Sequence, residues 1–311
     1  MNRRAFLRGA GLGAAALCLG GRAAAALPSD RREVAITMDD FNVFDTPYLS
    51  APDRNRRILN ALAGHRLKAA MFVAAKFVEA EPNMRLLREW GERGHVVANH
   101  TFSHPWYPGK SFDEFSRDVL RAEEVLKAVP GYRKWFRFPF LKEGATPEQR
   151  DRMRAFLRER GYRNGHVTID ASDWYVDQRL RERLKKEPKA DTAPYRDFYL
   201  SHIAERARYY DGLARRALGR PVKHTLLIHH NVLNGLFLGD LLRMFEREGW
   251  KLIDADDAYK DPVFEREPKI APAGESLVWA LAKESGKFEG ELRYPGEDGE
   301  YEKARMDALG L

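Results

Sequence analysis

Two histidines follow one of the apolar segments of this chain, in the stretch HVVANHTFSHP. His100 and His104 lie four residues apart there, shortly after the apolar run 96–98. Two imidazoles at that spacing, on one helical turn or around a tight loop, can bind the same cation. Histidine pairs also occur in cores and on surfaces without a metal, and a metal needs a third ligand. Other residues must therefore decide between a metal site and two incidental histidines.

Acidic, basic and aromatic side chains follow four other apolar segments. They are Asp39 and Asp40 in TMDDF, Arg137 in RFPF, Asp170, Asp173 and Trp174 in DASDWY, and His229, His230 and Asn231 in LLIHHN. Each set alone has an ordinary structural explanation, since adjacent aspartates cap helices or form turns and a buried arginine pairs with a carboxylate. One aspartate and the two histidines together would form a His-His-Asp site with positions open for water and substrate. Such ligands suit Zn²⁺, with Co²⁺, Ni²⁺ or Mn²⁺ as alternatives.

The order of apolar and amphipathic segments indicates the elements that would hold these residues. Predicted strands span residues 33–38, 68–73, 95–99, 134–138, 165–169, 224–228 and 251–255. Predicted helices span residues 51–65, 81–94, 111–129, 146–161, 193–218 and 239–249. The charged segment 178–191 is predicted to be a surface excursion. The alternation of strands and helices predicts an α/β fold with a parallel sheet, and seven strands suit a barrel, complete or incomplete, better than an open sheet.

Two of the predicted helices carry specific start signals. Ser111 stands at a cap position with Glu114 three residues later, which is the spacing of a capping box. Thr146 would cap the next helix, with Pro147 at its first position. In a parallel barrel, functional residues lie at the C-terminal ends of the strands. Five of the seven predicted strands end in the ionisable residues named above, which would therefore meet at one rim.

The first 26 residues resemble a bacterial twin-arginine signal peptide. Arg3 and Arg4 precede a weakly apolar stretch, and RAAAALP offers small residues for cleavage near Ala26. A Sec signal or an N-terminal membrane anchor is the alternative, but Arg22 just before the cleavage site favours the twin-arginine route. We therefore expect the precursor to use the twin-arginine export machinery of a bacterium and the protein to be periplasmic or extracellular.

The composition excludes several classes of protein. With 44% hydrophobic and 32% charged residues, the chain is too apolar to be disordered. Residues 1–26 contain four arginines and no acid, so the rest carries 49 basic and 46 acidic side chains, a balance that does not indicate a nucleic-acid partner. No apolar run of bilayer length follows residue 30, so no stable membrane insertion is expected. The single cysteine, Cys18, lies in the signal segment, which predicts no disulfide after cleavage.

Together, these motifs resemble the polysaccharide deacetylase family, also called the NodB-homology family or carbohydrate esterase family 4. That family has five ordered motifs, T-F-D-D, H-[ST]-x-x-H, R-x-P-[FY], D-x-x-D-W and L-x-H. In this chain they read TMDD (37–40), HTFSH (100–104), RFPF (137–140), DASDW (170–174) and LIH (227–229). The one departure within a motif, Met38 in place of Phe, leaves every functional group intact. The resemblance implies a distorted or incomplete (β/α)7 barrel of the NodB-homology type as the catalytic domain, which we place at residues 27–262.

The resemblance also implies the metal and catalytic roles. A divalent metal, most simply Zn²⁺, would be bound by Asp40, His100 and His104. Asp39 would be the general base, and Arg137 would pair with it and orient it. His229 would be the general acid, and Asp173 would hold its imidazole.

The implied substrate is a carbohydrate. Trp174 would line the sugar groove, and a backbone N–H near Phe140 would bind the oxyanion. His230 and Asn231 would bind substrate or merely stabilise a loop. The implied reaction is metal-dependent hydrolysis of acetyl groups from an acetylated polysaccharide or oligosaccharide, with the N-acetyl group of an amino sugar favoured. A non-sugar amide hydrolase on the same scaffold and a non-catalytic sugar-binding protein are the alternatives. Residues 263–311 are expected to form a C-terminal extension packed on the catalytic domain.

Overall fold

The computed structural model describes residues 31–293 and 298–311. The predicted signal peptide, with its single cysteine, lies outside the described residues. The strands are β1 (Glu33–Asp40), β2 (Ala70–Val73), β3 (Val96–Asn99), β4 (Tyr132–Phe136), β5 (Lys142–Gly144), β6 (Arg163–Asn164), β7 (Lys223–His229), β8 (Lys251–Leu252) and β9 (Ala273–Gly274). The helices are α1 (Ala51–Gly64), α2 (Asn83–Glu92), α3 (Phe112–Leu126), α4 (Pro147–Glu159), α5 (Asp173–Lys186), α6 (Ala193–Leu218), α7 (Val232–Arg247), α8 (Ala255–Ala258), α9 (Leu277–Ser285) and α10 (Gly299–Ala308).

Seven strands form one sheet in the order β6-β4-β3-β2-β1-β7, with β8 also paired to β1. All the pairings in this sheet are parallel. The central strands are largely apolar and are buried along nearly their whole length, as expected for a parallel sheet that is buried on both faces. Because the strands run in the same direction, their C-terminal ends lie at one edge, where the predicted site residues were expected.

The segment 163–169 connects the two ends of this sheet. Its first two residues, β6, pair with β4. At its other end Ile169 pairs with Leu226 of β7, with main-chain hydrogen bonds of 3.0 Å on both sides. The sheet is therefore curled into a distorted barrel whose closure is irregular, which confirms the predicted fold class. The fifth predicted strand, residues 165–169, forms only this isolated bridge.

The start signals of two helices are confirmed. The Ser111 hydroxyl accepts from the N–H of Glu114, and the Glu114 carboxylate accepts from the N–H of Ser111. Thr146 accepts from the N–H of Gln149 at the start of α4, with Pro147 as the first helical residue. These local bonds satisfy backbone donors that have no partner inside the helix.

Two of the predicted boundaries are wrong. The predicted surface excursion at residues 178–191 is largely the helix α5, which buries Val176, Leu180 and Leu184 at a spacing of four residues. Helix α7 begins at Val232, before the predicted start at residue 239.

The residues after 262 pack on the barrel. Strand β9 pairs antiparallel with β5, and the apolar residues of α9 are buried, with α9 packed against α6. Helix α10 buries Met306 and Glu302. The domain boundary at residue 262 stays a prediction. Within the part of the chain that the structure describes, no helix has the length and the apolar character needed to cross a lipid bilayer.

Candidate metal centre and active site

The ends of three strands of the parallel sheet bring the predicted ligands and acids together. Asp39 and Asp40 end β1, His100 follows β3 directly, and His229 ends β7. The register places Asp39 opposite His229, and the N–H of His100 donates to the carbonyl of Val73 at 3.0 Å. Residues far apart in the chain thus share one rim because parallel pairing aligns the strand ends.

Asp40, His100 and His104 lie around one point. Their ligand atoms are all within 4.8 Å of one another. Nε2 of His104 is 3.2 Å from Oδ1 of Asp40, and Nε2 of His100 is 3.6 Å from the same oxygen. Nδ1 of His100 is 2.8 Å from the carbonyl oxygen of Arg137. Because a carbonyl only accepts, Nδ1 carries the proton and the unprotonated Nε2 faces Asp40.

This donor set fits a divalent cation. Oδ1 of Asp40 is buried and has no hydrogen-bond partner among the described residues, which is costly unless a cation binds there. Burial lowers the pKa of His100 and of His104, which favours the neutral imidazoles that metal binding requires. Burial alone would raise the pKa of Asp40, but the adjacent His104, His229 and His100 lower it. Two imidazole nitrogens and one carboxylate oxygen are ligands typical of Zn²⁺.

Left-handed backbone conformations turn these side chains toward the rim. The φ angles are 73° at Asp40, 67° at Thr101 and 60° at His104, values that residues with a Cβ seldom adopt. The loop is held by hydrogen bonds from the N–H of Thr101 to Oδ1 of Asn99 (2.8 Å) and from the N–H of His104 to Oγ1 of Thr101 (3.1 Å). Successive residues of a regular strand point to opposite faces. The turn at Asp40 therefore allows both Asp39 and Asp40 to border the same cavity.

Arg137 fixes the position of Asp39. Its Nη1 donates to Oδ1 of Asp39 at 2.5 Å, and its guanidinium lies 3.9 Å from the centre of the Phe72 ring. Its other hydrogen bonds, of 2.8 to 3.0 Å, go to the carbonyl of Gly165, Oγ1 of Thr37 and the hydroxyl of Tyr259. Burial raises the pKa of Asp39, and the charge of Arg137 opposes that rise. Oδ2 of Asp39 lies on the side of Asp40, His100 and His104, the three candidate metal ligands that we call the metal triad. It is 3.6 Å from Nε2 of His100.

Asp173 is buried and holds His229. Oδ1 of Asp173 accepts from Nδ1 of His229 at 2.7 Å. Oδ2 accepts three bonds of 2.9 Å, from the backbone N–H of His229 and from the side-chain amides of Asn231 and Asn234. Burial works against protonation, but the Asp173 carboxylate raises the pKa of His229 to about 10. An imidazole that keeps its proton and has only Nε2 left for the cavity is suited to general-acid catalysis.

These groups line a cleft with two lobes. The lobe of about 420 Å³ is lined by the metal triad together with Asp39, Phe140, Asp170, Lys142, Glu275 and Asp298. The lobe of about 340 Å³ is lined by Asn42, Phe44, Asp45, Arg54, Gln178 and Arg181, among others. Asp40, Trp174 and His229 border both lobes. His229 and the candidate metal ligand Asp40 thus lie where the two lobes meet.

Three exposed aromatic rings line this cleft. They are Phe44 (61% exposed), Phe140 (56%) and Trp174 (40%). Phe140 also packs edge-on against the ring of His104, with 4.6 Å between the ring centres. Trp174 and Phe140, predicted from sequence as substrate contacts, thus border the cleft. Phe44 was missed, although it follows a predicted metal ligand by a few residues.

His230 and Asn231, the other predicted substrate contacts, line the lobe of about 340 Å³. His230 is 1% exposed, its ring centre is 4.7 Å from that of Phe41, and its Nδ1 is 3.1 Å from the carbonyl oxygen of Asn42. Asn231 caps α7 by accepting from the N–H of Asn234, and its amide donates to Asp173. Both residues stabilise the loop after β7, which is the other role that the sequence left open, and a contact of either residue with substrate stays a prediction.

Two supporting residues illustrate which signals the sequence contains. Thr37, which binds Arg137, is the first residue of the TMDD motif and was therefore within reach of sequence reasoning. Tyr259, which binds the same guanidinium, comes from a short helix late in the chain and stands in no motif. Asn42 and Asp45, in the long loop after β1, bond to the N–H groups of Phe44 and Ala51 and so stabilise the loop.

Comparison with known proteins agrees with this fold. Residues 26–165, just under half of the chain, match the family model described as polysaccharide deacetylase. Over these residues the chain is similar to the family that its motifs resemble. The matched segment contains the metal triad, Asp39 and Arg137, whereas Asp173 and His229 lie beyond it and are brought to the site by the fold.

Curated relatives share part of the chain. A peptidoglycan-N-acetylglucosamine deacetylase of Bacillus cereus is 29% identical over 150 residues, which are 47% of this chain and 48% of that protein. A chitooligosaccharide deacetylase of Rhizobium leguminosarum bv. trifolii is 32% identical over 103 residues, which are 33% of this chain and 43% of that protein. The chain thus spans about half the length of the curated relatives it matches.

A solved structure shares the fold. A pseudoenzyme of carbohydrate esterase family 4 from Bacillus anthracis superposes with a TM-score of 0.51 and 16% sequence identity, over 74% of this chain and 66% of that chain. A mutant of the same pseudoenzyme with restored enzymatic activity also gives a TM-score of 0.51, at 17% identity over 74% of this chain and 68% of that chain. At this identity the likeness concerns the fold alone.

Proposed function

We propose that the protein is a metal-dependent deacetylase that hydrolyses acetyl groups of a polysaccharide or oligosaccharide, with the N-acetyl group of an amino sugar as the favoured target. One observation carries the proposal: the Asp40–His100–His104 cluster and the Asp173–His229 pair border the same cleft. Hydrolysis of an amide needs both a group that activates water and an acid that protonates the leaving amine. The relatives named peptidoglycan and chitooligosaccharide deacetylases support this class of substrate.

Asp40, His100 and His104 would hold the metal. Zn²⁺ fits the donor set best, and Co²⁺, Ni²⁺ or Mn²⁺ are alternatives. A bound divalent metal lowers the pKa of a water molecule and polarises the acyl carbonyl. The protein contributes the geometry, because the carbonyl of Arg137 fixes the proton on His100 and so directs its free nitrogen to the site.

Asp39 would act as the general base. Its carboxylate borders the lobe that contains the metal triad, and Arg137 holds one of its oxygens. The other oxygen is positioned to take the proton of the attacking water. The water oxygen then forms a bond to the acyl carbon, and a backbone N–H near Phe140 would stabilise the resulting oxyanion.

His229 would act as the general acid. Its Nδ1 is held by Asp173, so Nε2 is the nitrogen that can donate to the leaving nitrogen. The C–N bond breaks as the amine takes this proton, and the products are acetate and the free amino sugar. An O-acetyl substrate would follow the same path with an alcohol as the leaving group.

The exposed aromatic residues support a sugar substrate over a small non-sugar amide. Trp174 borders both lobes, and Phe44 and Phe140 lie in one lobe each. Aromatic faces expose apolar surface that packs against the C–H faces of sugar rings. Export through the twin-arginine route to the periplasm or the exterior, proposed from residues 1–26, would bring the protein to cell-wall polysaccharides.

Acetate release by the purified protein tests the proposal. The substrates are N-acetylglucosamine oligomers and an acetylated xylan, and the protein is treated with a chelator before Zn²⁺ is added back. We expect no release after chelation and recovery with Zn²⁺, together with about one bound metal per chain as a ligand set of this kind implies. Release that is unaffected by chelation would contradict the metal mechanism. No release from either substrate by a protein that contains zinc would contradict the proposed substrate class.

A further inference from the structure

The last helix of the chain, α10, lies against the first turn of α5, which holds Asp173 and Trp174. A Cβ atom at Gly299 would lie only 2.7 Å from Cδ2 of Tyr175 and 3.1 Å from Cη2 of Trp174, so the two helices touch closely there. Asp298, directly before α10, lines the lobe of the cleft that contains the metal triad. The C-terminal residues therefore reach the site although they lie far beyond the segment that matches the family model.

A line of buried polar groups runs from α10 to the same turn of α5. Glu302 on α10 and His202 on α6 are both buried, and Oε2 of Glu302 lies 3.4 Å from Nδ1 of His202, an ionic contact without the geometry of a hydrogen bond. On the other side of the ring, Nε2 accepts a hydrogen bond of 3.0 Å from the backbone N–H of Ser172. Ser172 directly precedes Asp173, whose carboxylate holds His229.

The geometry fixes the proton on the His202 ring. A backbone N–H can only donate, so Nε2 is unprotonated and Nδ1 carries the hydrogen that faces Glu302. Burial would raise the pKa of Glu302, but His202 and Arg293 lower it to about 2, so its carboxylate is charged. A carboxylate behind a histidine is a common way to fix both the tautomer and the orientation of the ring.

Ser172 itself makes few polar contacts at the start of α5. It stands at the cap position, but its side chain makes no capping hydrogen bond. Its hydroxyl oxygen is buried without a hydrogen-bond partner among the described residues. The bond from the Ser172 N–H to His202 therefore ties the start of α5 to α6, whereas the bonds that Asp173 accepts tie it to residues 229–234.

We propose that Glu302 is a positioning residue that acts through His202 and the backbone of Ser172 to hold Asp173, and with it the acid His229, in working geometry. This inference rests on the proposed deacetylase function and assigns the C-terminal helix a part in it. Without the Glu302 carboxylate, the buried Nδ1–H of His202 loses the negative charge that it faces. A change of tautomer or a ring flip relieves that cost, removes the acceptor for the Ser172 N–H and releases the first turn of α5.

The leaving group of the substrate distinguishes this role from a general loss of stability. An amine needs a proton from His229 in order to leave, whereas 4-nitrophenolate leaves without one. For Glu302→Ala we expect kcat on N-acetylglucosamine oligomers to fall by about tenfold or more, the range seen when a histidine loses its orienting partner. We expect kcat on 4-nitrophenyl acetate to change little.

A matched control is available on the same helix. Lys303 is adjacent to Glu302, is exposed and pairs with Asp307 one turn later. Lys303→Ala removes a charge and an ion pair of α10 but leaves the buried contacts among Glu302, His202 and Ser172 unchanged. It should keep both activities.

Two further variants test the two contacts of the His202 ring, with Glu302 and with Ser172. Glu302→Gln keeps an oxygen that can accept from Nδ1 of His202 and should restore most of the kcat lost in Glu302→Ala. His202→Phe keeps the stacking on Phe198, whose ring is 6.3 Å away at an angle of 6°, but removes the acceptor for Ser172. It should lose oligomer activity as Glu302→Ala does. Thermal unfolding and zinc content, measured for each variant, show whether the fold and the metal site persist.

The outcomes separate this inference from the proposed function. If the wild-type protein releases acetate from neither substrate, the proposed function fails and the role of Glu302 fails with it. If the wild-type protein is active but Glu302→Ala and His202→Phe keep full oligomer activity, or lose both activities equally, only the role of Glu302 is overturned. Should Glu302→Ala not fold, the comparison of Glu302→Gln with His202→Phe decides in the same way.

Discussion

Asp39 and Asp40 are neighbours in the chain, yet their surroundings shift their pKa values in opposite directions. Burial raises the pKa of Asp39 despite the adjacent Arg137. Burial alone would also raise the pKa of Asp40, but the imidazoles around it, of which His104 has the largest effect, lower that pKa. Two carboxylates in such different environments can take different roles. This contrast supports Asp40 as a metal ligand and Asp39 as the base, a distinction that two adjacent aspartates in the sequence do not show.

Substitution of the two kinds of residue should give different results. Asp39→Asn keeps an oxygen that can accept from Arg137 but cannot take a proton, so we expect bound zinc to remain and kcat to fall by about 10²- to 10⁴-fold. His104→Ala leaves two of the three ligands and should lose the metal. Zinc content and acetate release are measured on the same samples. A fully active Asp39→Asn protein would exclude Asp39 as the base.

The pKa of His229, the proposed general acid, is expected to depend on the carboxylate of Asp173. Burial opposes protonation of His229, but Asp173 raises its pKa to about 10. Asp173→Asn removes that charge and should lower the pKa by about 1–3 units. Because an acid acts in its protonated form, which is populated below the pKa, the alkaline limb of the kcat profile should move to lower pH. Rates on N-acetylglucosamine oligomers between pH 5 and pH 10 test this, and alkaline limbs that coincide would contradict the role of Asp173.

At the scale of elements, the contact between α10 and α5 should be sensitive to a single methyl group. Gly299→Ala places a Cβ 2.7 Å from Tyr175 and 3.1 Å from Trp174, so these rings must shift. Because Trp174 borders both lobes of the cleft, we expect KM for N-acetylglucosamine oligomers to rise several-fold, while the zinc content stays unchanged. Steady-state kinetics and metal analysis give the two quantities.

Gly290→Ala is the matched control for that variant. Gly290 lies in the same C-terminal segment, and a Cβ there would have no atom within 4 Å. Its KM should equal that of the wild-type protein. Equal KM values for all three proteins would show that α10 does not position Trp174.

The elements that the sequence predicted best are those with both a periodic pattern and a local cap. Helix α3 has its capping box at Ser111, and α4 has Thr146. Helix α5 has no capping side chain. Its apolar face is also hard to recognise in the sequence, because charged residues surround the buried Val176, Leu180 and Leu184. Its apolar spacing of four was present in the sequence but was outweighed by the local charge.

The start of α7 was missed for a different physical reason. Gly235 and Gly239 stand inside the helix, and glycine normally argues against a helix interior. Gly235 is required by packing, since a Cβ there would lie 2.7 Å from Cδ2 of Leu49. Asn231, interpreted from sequence as a substrate contact or a residue that stabilises a loop, is the cap of this helix. The start of α7 was missed because the packing of Gly235 is a tertiary contact that no local pattern contains.

At the scale of the whole molecule, the motifs of the sequence point to the residues that line the candidate site but not to those that support it. The proposed ligands and acids stand at strand ends in recognisable motifs, and parallel pairing brings strand ends together. His202 and Glu302 stand in helices, and only the folded structure shows that they contact each other and that His202 binds the start of α5. The C-terminal segment was expected to pack on the barrel, but its place beside the cleft depends on contacts between residues 100 or more positions apart in the chain.

The whole molecule should also lose stability in acid, because a buried histidine takes up a proton when the chain unfolds. His95 is buried, and its Nδ1 accepts from the N–H of Ala69 at 3.0 Å. Burial, with Lys68 and Arg93 nearby, lowers the pKa of His95 to about 4, whereas an unfolded histidine has a pKa of about 6.5. Between these values the unfolded chain binds the extra proton. The contribution of His95 to the free energy of unfolding is therefore fully present above about pH 6.5 and falls as the pH drops toward 4.

The variant His95→Gln isolates this contribution, because its side-chain oxygen can still accept from Ala69 but does not titrate. Urea unfolding of the chelated proteins at pH 7.5 and pH 5 gives the free energy of unfolding of each, without the effect of pH on metal binding. The free energy of unfolding of the wild-type protein minus that of His95→Gln should be smaller at pH 5 than at pH 7.5 by roughly 2 kcal/mol. The reason is that pH 5 lies about 1.5 units below the pKa of histidine in the unfolded chain, and each unit corresponds to about 1.4 kcal/mol. An advantage that is the same at both pH values would show that His95 does not bind a proton on unfolding in this range.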